Sequence, residues 1–163
     1  MSINKGILIE IERETENTRR LLSVLQDEHL SFKPHEKSMT LGELATHIVD
    51  LHNWVKNALT EEVFDFKTMY KPQIAKTVQD LKAMLNDSYA GNVSAIEKMT
   101  DEDWQKIWTL KSGEHIIVQL PKIGGFRFII QNHLIHHRGQ LTVYMRMLNL
   151  PLPGIYGPSA DER

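Results

Sequence analysis

The chain has 163 residues, 41% of them hydrophobic and 25% charged, as expected for one folded globular domain. Its net charge of −2 gives no long-range attraction to phosphate backbones, which argues against nucleic-acid binding, and the absence of cysteine excludes disulfides and thiolate ligands. No stretch approaches the ~20 apolar residues that cross a bilayer, and residues 1–17 lack the apolar run of a signal peptide. We therefore expect a cytoplasmic protein with no membrane partner.

The first three helices follow from apolar residues that recur at helical spacing. The first is predicted over residues 3–28, and the second from a capping box at Thr40 and Glu43 to about Leu59. The third is expected to begin near Pro72 and to continue to residue 99, with a weak point at Gly91.

The connection to the fourth helix is long and partly extended. Residues 100–103 predict a short helical turn, and residues 106–110 and 115–120 predict the two strands of a small hairpin. The fourth helix is expected after Gly125 and ends before Pro151. We predict an all-α four-helix bundle that forms a single domain over residues 1–163.

The fourth helix has two histidines on its apolar face. At about 100° per residue, that face contains Phe126, Ile130, His133, His137, Leu141, Tyr144 and Leu148. The spacing of four residues between His133 and His137 places both imidazoles on one side, where they can bind a single ion. Two buried histidines that hydrogen-bond to their neighbours are the alternative. A shared metal would satisfy both rings at once.

A third ligand has to come from elsewhere, because catalytic zinc sites usually have three protein ligands and one open position. His47 and His52 flank opposite edges of the second helix's apolar face, and periodicity does not choose between them. The one that is not a ligand is expected at the surface. Gln140 lies at the edge of the face that carries His137, where it can hydrogen-bond a ligand or substrate.

The remaining histidines fit the site less well. His136 lies off the apolar face of the fourth helix, so we expect it to be exposed or to support a ligand. His29, His35 and His115 lie in predicted connections or extended segments, where histidines are usually solvated.

The chain resembles the DinB-like family of metal-dependent proteins, which includes the YfiT-like enzymes, over nearly its whole length. The resemblance rests on four motifs in this order: Phe32-Lys33-Pro34, Leu41-Gly42-Glu43-Leu44-Ala45-Thr46-His47-Ile48, His133-Leu134-Ile135-His136-His137-Arg138-Gly139-Gln140-Leu141, and Pro153-Gly154-Ile155-Tyr156-Gly157-Pro158-Ser159-Ala160-Asp161-Glu162. It implies a four-helix bundle that forms homodimers. It also implies a zinc or nickel ion bound by His47, His133 and His137, and so favours His47 over His52.

Relatives of this fold include thiol-dependent transferases and isomerases, so the resemblance implies a small-molecule substrate, with a low-molecular-weight thiol as a candidate. A site of three histidines with an open position suits either thiol S-transfer or hydrolysis by metal-bound water. Gln140 and Tyr144 are candidates for residues that support the site. The sequence names no general base, since Glu43 caps a helix and Asp50 is expected on the outward face. The alternative is a non-catalytic stress protein that binds a metal or small ligand.

Overall fold

The computed structural model describes residues 2–162 and is mostly helical, with one small sheet. The helices, in chain order, are α1 (Ile3–Val24), α2 (Leu41–Ala58), α3 (Phe66–Met69), α4 (Val78–Ile96), α5 (Asp101–Gln105), α6 (Lys122–Gly124) and α7 (Asn132–Met147). A 3₁₀ turn at Asp27–Ser31 follows α1, and a π-helical segment at Gly125–Gln131 joins α6 to α7. Helix α2 packs against α4 and α7, and α1 packs against α4. Within residues 2–162, no helix is both long and apolar enough to cross a membrane.

Helix α2 begins where the sequence predicts. The Thr40 hydroxyl accepts a hydrogen bond from the Glu43 amide at 3.1 Å, and the Glu43 carboxylate accepts one from the Thr40 amide at 2.7 Å, which confirms the capping box. The predicted start of the third helix near Pro72 is wrong. Thr77 and Asp80 form the capping box of α4, and residues 70–76 run outside any helix. Helix α4 then passes through Gly91 without a break.

Three strands form the sheet: β1 (Val63–Asp65), β2 (Ile107–Ser112) and β3 (His115–Pro121). The antiparallel β2–β3 hairpin confirms the predicted extended connection, and Gly113 turns between the strands with φ of 61°. Strand β1 pairs parallel to β2 and was not predicted. The chain is therefore not all-α, because the segment after α2 supplies an additional strand to the hairpin.

The core consists of two apolar clusters. One cluster joins α1, α2, α4 and α7 around residues such as Leu44 and Leu141. The other cluster gathers residues from the opposite ends of α1 and α2 with the sheet, and contains the fully buried Trp104 and Trp108. Both clusters contain residues of α1 and α2, so these two helices extend through the whole core.

The π-helical segment changes which face of α7 is buried. The residues that point into the core are Phe126, Ile130, Leu134, Arg138, Leu141 and Met145. A π turn contains about one residue more than an α turn. The buried residues that follow it on α7 are therefore displaced by one position from those that a regular helix would bury. The prediction that His133 and His137 lie within the buried face is wrong. They lie beside it and are partly exposed.

Candidate metal centre

Three histidine side chains from two helices meet at the surface between α2 and α7. The Nε2 atom of His133 lies 3.4 Å from Nε2 of His47 and 2.8 Å from Nε2 of His137. One nitrogen from each ring lies within 4.8 Å of the other two, and this is the arrangement of donors that can hold one ion. The structure thus brings together the three histidines that the family resemblance implies as ligands.

Gln140 fixes the orientation of one of these rings. Its side-chain oxygen lies 2.7 Å from Nδ1 of His137, one turn earlier on α7. An amide oxygen can only accept, so Nδ1 of His137 carries the hydrogen. The lone pair of the neutral ring is then on Nε2, which faces the other two histidines.

Local electrostatics favour neutral rings. Burial, followed by the charges of the neighbouring His137, His47 and His136, lowers the pKa of His133 to about 4. Burial, followed by the charge of His137, also lowers the pKa of His47. A metal competes with protons for the ligand nitrogens, so imidazoles with lowered pKa are available as ligands near neutral pH.

Hydrogen bonds among the three rings do not satisfy all of them. With all three rings neutral, His137 Nε2 carries a lone pair and His133 Nε2 has to donate to it. The same atom of His133 cannot then accept a hydrogen bond from His47. Two nitrogens bound to one tetrahedral zinc ion lie about 3.3 Å apart, which is close to the distance between the Nε2 atoms of His47 and His133. A small ring rotation would lengthen the shorter distance, between the Nε2 atoms of His133 and His137, to a similar value. The donor set therefore fits a divalent ion.

His52 is neither a member of this cluster nor a surface residue. It is 4% exposed, and its Nε2 lies 2.9 Å from the hydroxyl of Thr18 on α1. Burial, together with the charges of Arg138 and Arg19, lowers its pKa to about 3. The expectation of an exposed His52 is wrong because α1 covers that side of α2.

The other histidines lie apart from the three Nε2 atoms. The His29 and His35 rings accept hydrogen bonds from backbone amides in their own turns. His115 begins β3 and is exposed. The exposed ring of His136 packs edge-on against His137, with ring centroids 5.0 Å apart.

Two further side chains near the cluster differ in what they contact. The Tyr144 hydroxyl donates to the carbonyl of Met39 at 3.3 Å. Asp50, one turn after His47 on α2, is 4% exposed and accepts a hydrogen bond from the Tyr70 hydroxyl at 2.7 Å. The expectation of an outward-facing Asp50 is wrong, because the segment after α3 folds back over it. Its spacing of three residues from His47 is the only sequence signal for its position.

A buried polar network lies on the other side of α7. Arg138 is 2% exposed and forms an ion pair with Glu14 on α1. It also donates to the Glu14 carbonyl at 3.0 Å and to the Thr18 hydroxyl at 3.3 Å. The Tyr156 hydroxyl in the C-terminal run donates to the same Glu14 carboxylate at 2.8 Å. This network connects α1, α7 and the C-terminal segment.

The fold and the cluster together define a mostly helical protein with a three-histidine group that can hold a metal ion. The DinB family profile matches residues 1–163, and the chain belongs to that family. It is 31% identical over 151 residues to the uncharacterized protein YrdA of Bacillus subtilis strain 168, covering 93% of this chain and 86% of YrdA.

Solved structures agree with this assignment. A DinB-like protein from Bacillus cereus ATCC 10987 superposes with a TM-score of 0.77 at 30% identity, covering 95% of this chain and 98% of the other. A second DinB-like protein, YjoA of Bacillus subtilis, gives a TM-score of 0.75 at 21% identity over 94% of this chain and 99% of its own, which speaks for the fold alone.

Proposed function

We propose that this protein binds a divalent ion, zinc or nickel, through Nε2 of His47, His133 and His137, and that it is a metal-dependent enzyme acting on a small molecule. The observation that carries the proposal is the convergence of three Nε2 atoms that hydrogen bonds among the rings cannot satisfy. Gln140 supports it, because a partner on the second ring nitrogen is the usual companion of a histidine ligand.

Imidazoles bind a metal in their neutral form, so a ligand set of three histidines adds no negative charge to the site. A divalent ion bound there would lower the pKa of a coordinated water or thiol and so supply a nucleophile near neutral pH. Thiol S-transfer is the reaction we favour, and hydrolysis by activated water is the other candidate. The partial exposure of the rings supports access by a substrate. The competing function is a non-catalytic protein that binds a metal or small ligand.

Metal stoichiometry tests the binding part of the proposal. We expect one zinc or nickel ion per chain in the dialysed wild-type protein, and none in the His133→Ala or His137→Ala variants. His52→Ala is the matched control, because it removes a histidine from the opposite side of α2 and should keep the ion. Elemental analysis decides this, and metal retained by the His133→Ala protein would contradict the proposal.

A reporter assay tests the catalytic part. Zinc-loaded wild-type protein should accelerate transfer of a small thiol to an electrophilic reporter, and the His47→Ala protein should not. Equal rates for the two proteins would contradict thiol transfer and leave hydrolysis or the non-catalytic function.

We further propose that the four long helices form a bundle of the DinB type within a single domain of residues 1–163. The structural likeness to the Bacillus cereus protein supports this reading. We also propose a cytoplasmic homodimer without nucleic-acid partners. Light scattering should give twice the chain mass of 18.8 kDa. A measured mass equal to that of a single chain, at micromolar protein concentration, would contradict the proposed homodimer.

A further inference from the structure

A cleft of about 370 Å³ lies beside His47, between α2 and the segment that precedes α4. His47 and Asp50 line it from the α2 side, and Tyr70 and Ile74 line it from the other side. Ile74 is 79% exposed and places an apolar side chain at the rim of the cleft. The cleft thus offers an apolar surface and a buried carboxylate next to a candidate metal ligand, as ligand-binding pockets commonly do.

Asp50 is held in a defined position within this cleft. The Tyr70 hydroxyl donates to its Oδ2 at 2.7 Å, and the Trp54 ring packs against Tyr70 with centroids 5.9 Å apart. A carboxylate can accept about four hydrogen bonds, so the contact with Tyr70 leaves capacity for a ligand. Burial raises the pKa of Asp50, and hydrogen bonding to Tyr70 and Trp54 opposes that rise.

We propose that the cleft is the substrate site and that Asp50 accepts the proton of a thiol that binds beside His47. This proposal rests on the proposed function, since it assigns a proton acceptor to the same reaction. Both side chains line the cleft, and residues three apart on a helix have Cβ atoms about 5–6 Å from each other, so one small ligand in the cleft can contact both. A carboxyl with a raised pKa is also a better proton acceptor near neutral pH.

The proton balance of the step is simple. The S–H bond breaks, its electron pair stays on sulfur, and the proton passes to a carboxylate oxygen of Asp50. The thiolate then displaces the leaving group of an electrophilic substrate, and the protonated Asp50 returns its proton to that leaving group. Asp50 is regenerated as the carboxylate, and Tyr70 keeps its hydrogen bond to Oδ2 throughout.

A purely structural role is the competing explanation, in which Asp50 and Tyr70 only anchor the segment after α3 to α2. Asp50→Asn separates the two roles, because the amide oxygen can still accept from Tyr70 but cannot take up a proton. Tyr70→Phe is the complementary variant, since it weakens the anchor and keeps the carboxylate. Zinc content and thermal midpoint should be the same in the wild-type and Asp50→Asn proteins.

Proton release on thiol binding tests the proposal without an activity assay. Calorimetric titration of zinc-loaded protein with 2-mercaptoethanol, in two buffers of different ionisation enthalpy, counts the protons released to solvent. We expect close to none for the wild-type and Tyr70→Phe proteins, and about one per bound thiol for Asp50→Asn. A full proton released by the wild-type protein would overturn the role of Asp50 while leaving the metal site intact. An absence of thiol binding to the wild-type protein would contradict both this inference and the thiol reaction.

Discussion

Helices α2 and α7 each contribute side chains to two polar clusters, which lie on opposite sides of these helices. The two clusters differ in whether their polar atoms have hydrogen-bond partners in the protein. On one side, Arg138 and His52 are buried and bonded to partners on α1. On the other side, His47, His133 and His137 are partly exposed and face one another. Buried polar groups with protein partners serve the fold, whereas donors that converge without enough partners indicate a binding site.

The largest expected effect is on the buried side. Arg138→Met leaves the Glu14 carboxylate buried without its partner, and we expect a loss of about 3–5 kcal/mol in the free energy of unfolding. The double variant with Glu14→Gln should recover most of that loss, because no uncompensated charge remains. Urea denaturation measures both. A single-variant loss below about 1 kcal/mol would mean that the network does not support the fold.

The next effect concerns removal of the metal. The apolar core extends through all the long helices, so the chelated protein should remain folded at room temperature. Zinc at 100 times its Kd should stabilise the wild-type protein by about 2.7 kcal/mol. The His133→Ala protein should gain nothing. Unfolding by EDTA near room temperature would instead assign the ion a structural role.

Gln140 should tune metal affinity without determining it. Gln140→Ala removes the partner of His137 Nδ1, and loss of such a partner typically weakens metal binding about 10–100-fold. Tyr144→Phe is the comparison variant, since the Tyr144 hydroxyl contacts the Met39 carbonyl. Its affinity should match the wild type in a competition titration with a zinc chelator. A loss as large as that of Gln140→Ala would show that the Tyr144 hydroxyl does support the site.

The smallest effect is the pH dependence that His52 adds to stability. Its pKa is about 3 in the folded chain, against about 6.5 when unfolded, so below pH 6.5 the unfolded chain takes up a proton that the folded chain does not. The free energy of unfolding should therefore fall, by up to about 1.4 kcal/mol per pH unit. Denaturation at pH 6.5 and 5 should show a smaller fall for His52→Gln. Identical slopes would indicate that His52 is solvated.

The sequence predicts most of the helical framework because local signals determine it. The capping box of Thr40 and Glu43 and the hairpin around Gly113 depend on neighbouring residues, and the structure has both. Strand β1 was missed because its pairing with β2 joins residues more than 40 positions apart. The predicted buried face of α7 is one position away from the observed face, because a π turn leaves no clear signature in the apolar pattern.

The sequence predicts which three histidines lie together, but it does not predict what surrounds them. Spacing indicates His133 and His137, and family resemblance supplies His47. The burial of His52 depends on Thr18, and that of Asp50 on Tyr70, which lie on distant parts of the chain. The position of a polar residue on one helix therefore does not reveal whether its side chain is buried or exposed. That depends on tertiary neighbours that the sequence does not identify.

X-ray absorption spectroscopy of the zinc-loaded protein tests the central claim most directly. The account predicts three imidazole nitrogens at about 2.0–2.1 Å and one further light atom from solvent. It also predicts that 2-mercaptoethanol replaces that atom with sulfur at about 2.3 Å. A shell with fewer than three imidazoles, or one that is unchanged in the His47→Ala protein, would contradict the assignment of His47, His133 and His137 as the metal site.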